Sequence, residues 1–298
     1  MRIRNFSFIG VRRFDGLKQD WSRAEPDLIV VYGRPASGKT SFLDTLAAAK
    51  EAVCPYGPPD SRWDHLVGSL GSAKVRIDWD LSANEQARLA AGDSLLSTEA
   101  VFGRARPPEY PVVVSALLSE PGTPDRGSIH YLQDTRQLEG PLSFGSDDAN
   151  LRQRLTTRNS KFADLYDILD QPEKRATLKL ASTRFNELFP KLEISGMRRM
   201  GTAFYALVRD KESGEERPYE TLSQSERQGF LFALYASRMP IVDSVILLDA
   251  PEIGVGDGAV DLVRALLKWT TTTQIIVATG ISAVRSMPEV AHVMELPS

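Results

Sequence analysis

The chain has 298 residues, of which 42% are apolar and 25% charged, with 36 Lys and Arg against 39 Asp and Glu and a formal net charge of −3. These totals fit a soluble globular protein of one large α/β domain or two small ones, and they exclude collagen-like, disordered and disulfide-stapled chains. They demand no nucleic-acid or anionic-membrane partner, and the single cysteine, Cys54, can make neither an internal disulfide nor a Cys-based metal site, as expected of a reducing cytoplasm.

The N-terminus is charged from Arg2 and alternates through Ile3, Phe6, Phe8, Ile9 and Val11 before Phe14 and Leu17. This predicts a β-meander and no export signal. The apolar run Leu28 to Tyr32 predicts a buried central strand. Gly33-Arg34-Pro35-Ala36-Ser37-Gly38-Lys39-Thr40 follows at once, and Ser41 to Leu46 then repeats apolar residues at helical spacing. Cys54 reads as a small residue at that helix's end. Pro- and Gly-containing stretches at 55–59, 104–111 and 120–127 read as loops around strand candidates at 73–81, 111–117 and 128–132.

A polar helical pattern from about 149 to 190 predicts a small helical lid, with Leu155, Phe162, Leu165, Leu169 and Leu178 facing inward and Pro172 separating two helices. A hairpin is predicted from Thr202 to Arg209 and Arg217 to Leu222 around Lys211-Glu212-Ser213-Gly214. A helix from Ser223, the strand Val245 to Leu248, an amphipathic helix from Ala259 to Trp269 and strands at 274–278 and 291–296 complete the chain. No run approaches the roughly 18 consecutive apolar residues that span a bilayer, so no membrane partner is expected.

The octet Gly33 to Thr40 has the spacing of a phosphate-binding loop, in which backbone N–H groups and a helix N-terminus surround the β- and γ-phosphates. Residues Gly33, Arg34, Pro35, Ala36, Ser37, Gly38, Lys39, Thr40 and Ser41 are therefore nucleotide-binding candidates. Lys39 would bridge phosphate oxygens, Thr40 would place its hydroxyl on Mg²⁺, and the glycines admit the phosphates where a Cβ would clash. A second metal anchor is needed, and Asp249, ending the run Val245 to Leu248, offers the carboxylate. In Leu222 to Gln228, Ser223 and Glu226 form a Ser-x-x-Glu capping box. A helix N-terminus bearing a serine can also contact the γ-phosphate of a nucleotide held by a second subunit. His65, His130 and His292 are scattered, with no metal-ligand spacing.

On these residues the chain resembles, over nearly its whole length, the ABC-type ATPase heads of the RecF, SMC and OLD-like class of AAA family ATPases. Val11-Arg12-Arg13-Phe14 is similar to their Phe-Arg-x-Phe pattern, Tyr131-Leu132-Gln133-Asp134-x-Arg136 to their glutamine-loop segment, Leu222 to Gln228 to their Leu-Ser-x-Gly-Glu signature, and Asp249-Ala250-Pro251-Glu252 to their Asp-Glu-Pro-Glu. The resemblance implies an α/β P-loop NTPase fold: a single ABC-type ATPase domain over residues 1–298, with a β-rich N-terminal lobe and the helical lid. It implies ATP and Mg²⁺ as cofactors, Arg12, Ser223, Ser225 and Glu226 as further nucleotide contacts, and Gln133 as a glutamine-loop residue with a catalytic and metal-binding role beside Thr40 and Asp249. Two heads would hold two nucleotides between them, as a homodimer or with a related head.

Four positions depart from the pattern. Ala250 stands where the family carries the water-polarising glutamate, a loss of general-base help worth about 10²–10⁴ in rate. Gly280 aligns with the switch histidine, Ser225 with the signature glycine, and Pro35-Ala36 with the usual Asn-Gly. Glu252 is the candidate substitute base, although Pro251 fixes the backbone before it. Ala250 is either the natural residue of a slow or inactive head or an introduced change that traps ATP, and Gly280 as a second departure favours the first.

The expected function is a slow or hydrolysis-deficient nucleotide switch for a separate effector protein, in bacterial antiviral defence or DNA maintenance by analogy with the family. The alternatives are an active ATPase of repair or defence and a scaffold held together by ATP. No effector motif appears, and the stretch from Thr40 to Leu222 is too short for the long SMC coiled coil. Arg152, Arg154, Arg158 and Lys161, and also Arg198-Arg199, are basic clusters near acids such as Asp147, Asp148 and Asp164. A solvated face is favoured over nucleic-acid contact there.

Overall fold

The uninterrupted apolar runs of the sequence become strands buried on both faces, as parallel strands must be. The computed structural model describes residues 1–54, 66–69, 71–89, 92–103, 114, 118, 128–134, 136, 165–170, 172–200, 203–238 and 241–297. Along the chain these give β1 (Arg2–Ile9), β2 (Lys18–Asp20), β3 (Leu28–Tyr32), α1 (Lys39–Val53), β4 (Ser72–Asp80), α2 (Ala83–Leu89), β5 (Leu95–Gly103) and β6 (Ile129–Leu132). There follow α3 (Leu165–Asp170), α4 (Arg175–Leu188), β7 (Leu192–Met200), β8 (Ala203–Asp210), β9 (Glu216–Pro218), α5 (Gln224–Arg238), β10 (Val245–Asp249), α6 (Ala259–Trp269), β11 (Gln274–Thr279), α7 (Ser282–Arg285) and β12 (Val290–Glu295).

The central sheet has the order β12-β3-β11-β10-β6, and every pairing in it is parallel. Its side chains alternate between two cores with the period of two that a strand imposes. Ile29, Val31, Val245, Leu247, Ile276 and Ala278 enter one core, with α1 and the N-terminal strands. Leu28, Val30, Ile246, Leu248, Ile275 and Val277 enter the other, with α4, α5 and α6.

The first core lies under an antiparallel lobe of order β2-β1-β4-β5. Phe42 of α1 meets the rings of Phe6, Phe8 and Phe14 at centroid distances of 5.4, 5.8 and 5.9 Å, a spacing at which aromatic pairs attract beyond their buried area. The helix that follows the Gly33–Thr40 octet is thereby fixed to the lobe. The expected meander is interrupted, because β1 pairs with β2 on one side but with β4, beyond α1, on the other.

In the second core Leu165, Leu169 and Phe185 of α3 and α4 are buried beside Phe230 and Phe232 of α5. Pro172 parts α3 from α4 as expected, within the 3-10 turn Pro172–Lys174. The earlier part of the expected lid lies outside the described residues, with Leu155, Phe162, Arg152, Arg154, Arg158 and Lys161. The strand expected at 111–117 does too, except for Val114, which is buried and helical. The second hairpin strand is shorter than predicted: Pro218 has no N–H to extend the ladder, and Tyr219–Thr221 forms a 3-10 turn with Tyr219 buried. Cys54 caps the C-terminus of α1, as expected. No described helix is long and apolar enough to cross a membrane.

Removing the ring that all three partners share should leave a cavity. Phe42→Ala is expected to cost about 3–5 kcal/mol in urea unfolding; a loss below about 1 kcal/mol would show that the cluster does not anchor α1.

Candidate functional site

A parallel sheet brings all its strand C-termini to one edge, where ligands of open α/β folds bind. The register here aligns those ends: Tyr32 is opposite Thr279, Ala278 opposite Asp249, and Leu248 opposite Leu132. The residues leaving them are Gly33, Gly280, Ala250 and Gln133. Four segments far apart in sequence, each singled out by its own motif, therefore converge on one edge.

The octet leaves β3 and enters α1. A Cβ at Gly33 would lie 2.3 Å from Ser37 Oγ, so any larger residue there would displace the buried Ser37 side chain. Gly38 has φ 95° and precedes the first turn of α1, whose free N–H groups face the loop. Lys39 Nζ donates to the Gly33 and Arg34 carbonyls at 2.8 and 2.9 Å, which holds the ammonium over the loop's centre. Arg13 donates to the Ala36 carbonyl, and Arg12, Arg13, Ala36, Gly38, Lys39, Thr40 and Ser41 line an open cleft of about 370 Å³. Arg12, exposed on the 3-10 turn after β1, therefore sits on the rim of the Gly33–Thr40 loop.

Asp249 ends β10 at 1% exposure. Burial pushes its pKa up to about 6; a hydrogen bond with Thr40 and the charge of Arg136 oppose this, while Asp134 and Asp44 add to it. One oxygen, Oδ2, is buried with no hydrogen-bond partner. A desolvated carboxylate oxygen without a donor, adjoining a threonine hydroxyl, suits a hard divalent cation. Among the described residues no group of three His, Cys, Asp or Glu side chains could hold a metal alone, and Mg²⁺ characteristically takes one or two protein ligands with phosphate oxygens. Gln133, half-buried after β6, borders Asp249 through a shared donor: Arg136 Nη1 donates to both backbone carbonyls, at 2.7 and 2.6 Å.

Ala250 has φ 43°, in the left-handed region that disfavours residues with a Cβ. Its N–H donates to Ala278 O at 2.9 Å, and its carbonyl accepts from Ile253 N and Arg136 Nη2. Its methyl group accepts no proton. Glu252 has both oxygens engaged: Oε2 accepts from Thr279 Oγ1 at 2.8 Å and Oε1 from Gly280 N at 3.0 Å. The carboxylate thus ties the turn after β10 to the end of β11.

Ser223, Ser225 and Glu226 stand at the start of α5. The capping box forms, with Ser223 N donating to Glu226 Oε2 at 2.8 Å and Glu226 N to Ser223 Oγ at 3.3 Å; Ser223 and Ser225 hydroxyls lie 3.2 Å apart. The described hydrogen bonds of these three side chains run within the cap and not to the chain's own phosphate loop. Ser223 is exposed.

Sequence reasoning quotes Arg136 within the glutamine-loop segment but assigns it no role. It is 4% exposed and donates to Gln228 Oε1 at 2.9 Å in addition to the carbonyls of Gln133, Asp249 and Ala250. Burial pulls its pKa down to about 10, opposed by Asp249, Asp134 and Glu252, so it stays charged at neutral pH. Its only sequence signal is its place three residues beyond Gln133. The two described histidines have structural partners: His130 bridges Ser128 and Tyr235, and His292 bonds Ser22 O, while His65 lies outside the described residues. A separate cavity of about 240 Å³ lies at the opposite ends of the strands, where Arg2 and Asp27 pair at 2.7 Å.

No family model matches the sequence, and no curated protein matches it by sequence. The fold does match solved structures. A crystal structure of an SMC head bound to the C-terminal winged-helix domain of ScpA aligns with a TM-score of 0.60 at 13% identity, over 95% of this chain and 91% of that one. The SMC head domain from Thermotoga maritima aligns at 0.54 and 14% identity, over 99% and 94%. An SMC head with an extended coiled coil, bound to the C-terminal domain of ScpA derived from Pyrococcus furiosus, aligns at 0.56 and 12% identity, over 95% and 91%. The chain has the α/β fold of SMC head domains.

The raised pKa of Asp249 sets a stability test without nucleotide. The folded chain binds a proton between the ordinary value of 3.8 and about 6 that the unfolded chain releases, so ionised Asp249 destabilises the fold fully above pH 6 and not at all below pH 4. Asp249→Asn should stabilise the protein by up to roughly 3 kcal/mol at pH 8, at about 1.4 kcal/mol per pKa unit, and give no advantage near pH 4. Denaturation at both pH values reads this; a variant less stable than the parent at pH 8 contradicts the desolvation account.

Proposed function

We propose that this chain is an ATP-binding head that pairs with a second head around Mg·ATP and acts as a slow or hydrolysis-deficient switch for a separate effector protein. The observation that carries this reading is the strand-end edge itself. It holds the glycine-rich Gly33–Thr40 loop and a buried carboxylate oxygen without a donor, yet the residue after that carboxylate is Ala250.

Gly33 to Ser41 surround the phosphates, Lys39 neutralises them, Arg12 approaches from the rim, and Thr40, Asp249 and Gln133 are the candidate metal ligands. Bound Mg²⁺ would supply charge neutralisation at the phosphate oxygens. Neither of the two positions considered as the general base, Ala250 and Glu252, is set up to activate water. Ala250 has no acceptor, and the Glu252 oxygens already accept from Thr279 and Gly280, which argues against the active-ATPase reading. The lost base costs about 10²–10⁴ in rate.

A capped helix end that spends its side chains on its own first turn still presents an exposed serine and a positive dipole to solvent. The Ser223 and Ser225 hydroxyls thus suit the γ-phosphate of a partner head, while the Glu226 carboxylate, an acceptor, holds the cap from within. A ligand shared across that interface stabilises the dimer by its differential affinity for it, so association would report nucleotide state. Two SMC head structures are described as bound to domains of ScpA, and by analogy a separate protein reads the state of this head. Nucleic acid is not favoured: Arg198 pairs with Glu216, and Arg209 with Glu193 and Glu216. The setting, antiviral defence or DNA maintenance, rests on the family resemblance alone.

Phosphate release under Mg·ATP tests the switch. The chain should match a Lys39→Ala blank, and Ala250→Glu should turn over at least about tenfold faster, since Ala250 already carries a Cβ in the left-handed region and glutamate adds no new backbone penalty there. Release well above the blank by the unaltered chain would overturn the reading.

A further inference from the structure

A buried cation usually faces a carboxylate, yet Arg136 spends its hydrogen bonds on three backbone carbonyls and one amide side chain. Two of those carbonyls belong to Asp249 and Ala250, the corner where the chain passes through φ 43°. A strained conformation persists only where its surroundings over-determine it, and Arg136 with Ala278 O supplies that restraint. The fourth partner, Gln228, lies on α5, one turn beyond the Ser223 cap, and returns a bond from Nε2 to Arg136 O at 3.4 Å. The guanidinium also lies 5.3 Å from the ring centre of Phe232, on the same face of α5. The turn after β10 reaches the helix as well: a Cβ at Gly254 would lie 3.3 Å from Gln228 Cγ and 3.4 Å from Gln224 Cβ.

Resting on the reading above, we propose that Arg136 is a positioning residue that transmits the state of the nucleotide edge to the Ser223 turn of α5. One rigid fork touches the Gln133 segment, the Asp249–Ala250 corner and the partner-facing helix, so a shift of Gln133 or Asp249 toward a ligand displaces Gln228 and the helix with it. Arginine is required because a lysine ammonium cannot hold four acceptors in one plane. Gln228 is required because it alone among the four acceptors belongs to α5.

Hydrogen exchange with and without Mg·ATP, at protein concentrations low enough to keep heads apart, separates the outcomes. The unaltered chain should slow exchange in both 33–41 and 223–227. Gln228→Leu and Arg136→Lys should keep the response in 33–41, with ATP affinity changed by less than about threefold. They should lose the response in 223–227 and weaken ATP-driven pairing by about tenfold, within the usual range of site-to-site coupling. Thermal melting without nucleotide identifies folded variants, and Gln228→Leu keeps the test open if Arg136→Lys does not fold. A purely structural Arg136 would reduce affinity, pairing and melting temperature together. The inference is overturned if 223–227 does not respond in the unaltered chain or responds equally in Gln228→Leu. If 33–41 itself fails to respond, the nucleotide-binding reading falls and takes this one with it.

Discussion

Parallel strands buried on both faces have no place for polar groups except at their ends, and that constraint decides where chemistry can sit in this chain. β3, β10 and β11 alternate strictly between two apolar cores, so nothing along their length can bind a charged ligand. Their register then aligns Tyr32, Thr279, Asp249 and Leu132 so that Gly33, Gly280, Ala250 and Gln133 leave the sheet together. Shifting any one strand by a residue would exchange its two core faces and move its motif off the edge. Fold and site are thus one arrangement. The aromatic cluster around Phe42 extends it to the N-terminal lobe, which is how Arg12 and Arg13 come to line one cleft with the Gly33–Thr40 loop.

The electrostatics of the edge are set by two desolvated charges of opposite sign. Burial raises the pKa of Asp249 to about 6 and lowers that of Arg136 to about 10, and each partly relieves the other. They do not form a closed ion pair. Arg136 bonds the Asp249 backbone and leaves Oδ2 of the side chain without a donor. A carboxylate neutralised by a guanidinium would be poorly placed to take a cation, whereas this one is compensated at a distance. The opposite choice is made at Glu252, whose oxygens are both committed to the end of β11.

Much of this was legible in the sequence, for physical reasons that vary by element. The Gly33–Thr40 loop, Asp249 and the α5 cap each combine a motif with a strand or helix boundary, and two signals that agree are hard to produce by chance. The amphipathic helix Ala259–Trp269 appears with the predicted bounds because its apolar spacing is regular. β5 escaped notice because Ser97, Thr98 and Glu99 dilute its alternation, and β7 because a register shift at Gly196 breaks its period. The commitment of Glu252 and the reach of Arg136 are tertiary facts; no local pattern encodes hydrogen bonds to backbone carbonyls more than a hundred residues away.

The central claim is that a nucleotide held on this edge joins two heads. Sedimentation with Mg·ATP, beside the same protein without nucleotide and beside Lys39→Ala, tests it most directly. The account predicts a doubled mass for the unaltered chain with Mg·ATP alone, while an unchanged mass, or a Lys39→Ala protein that pairs equally well, would contradict it.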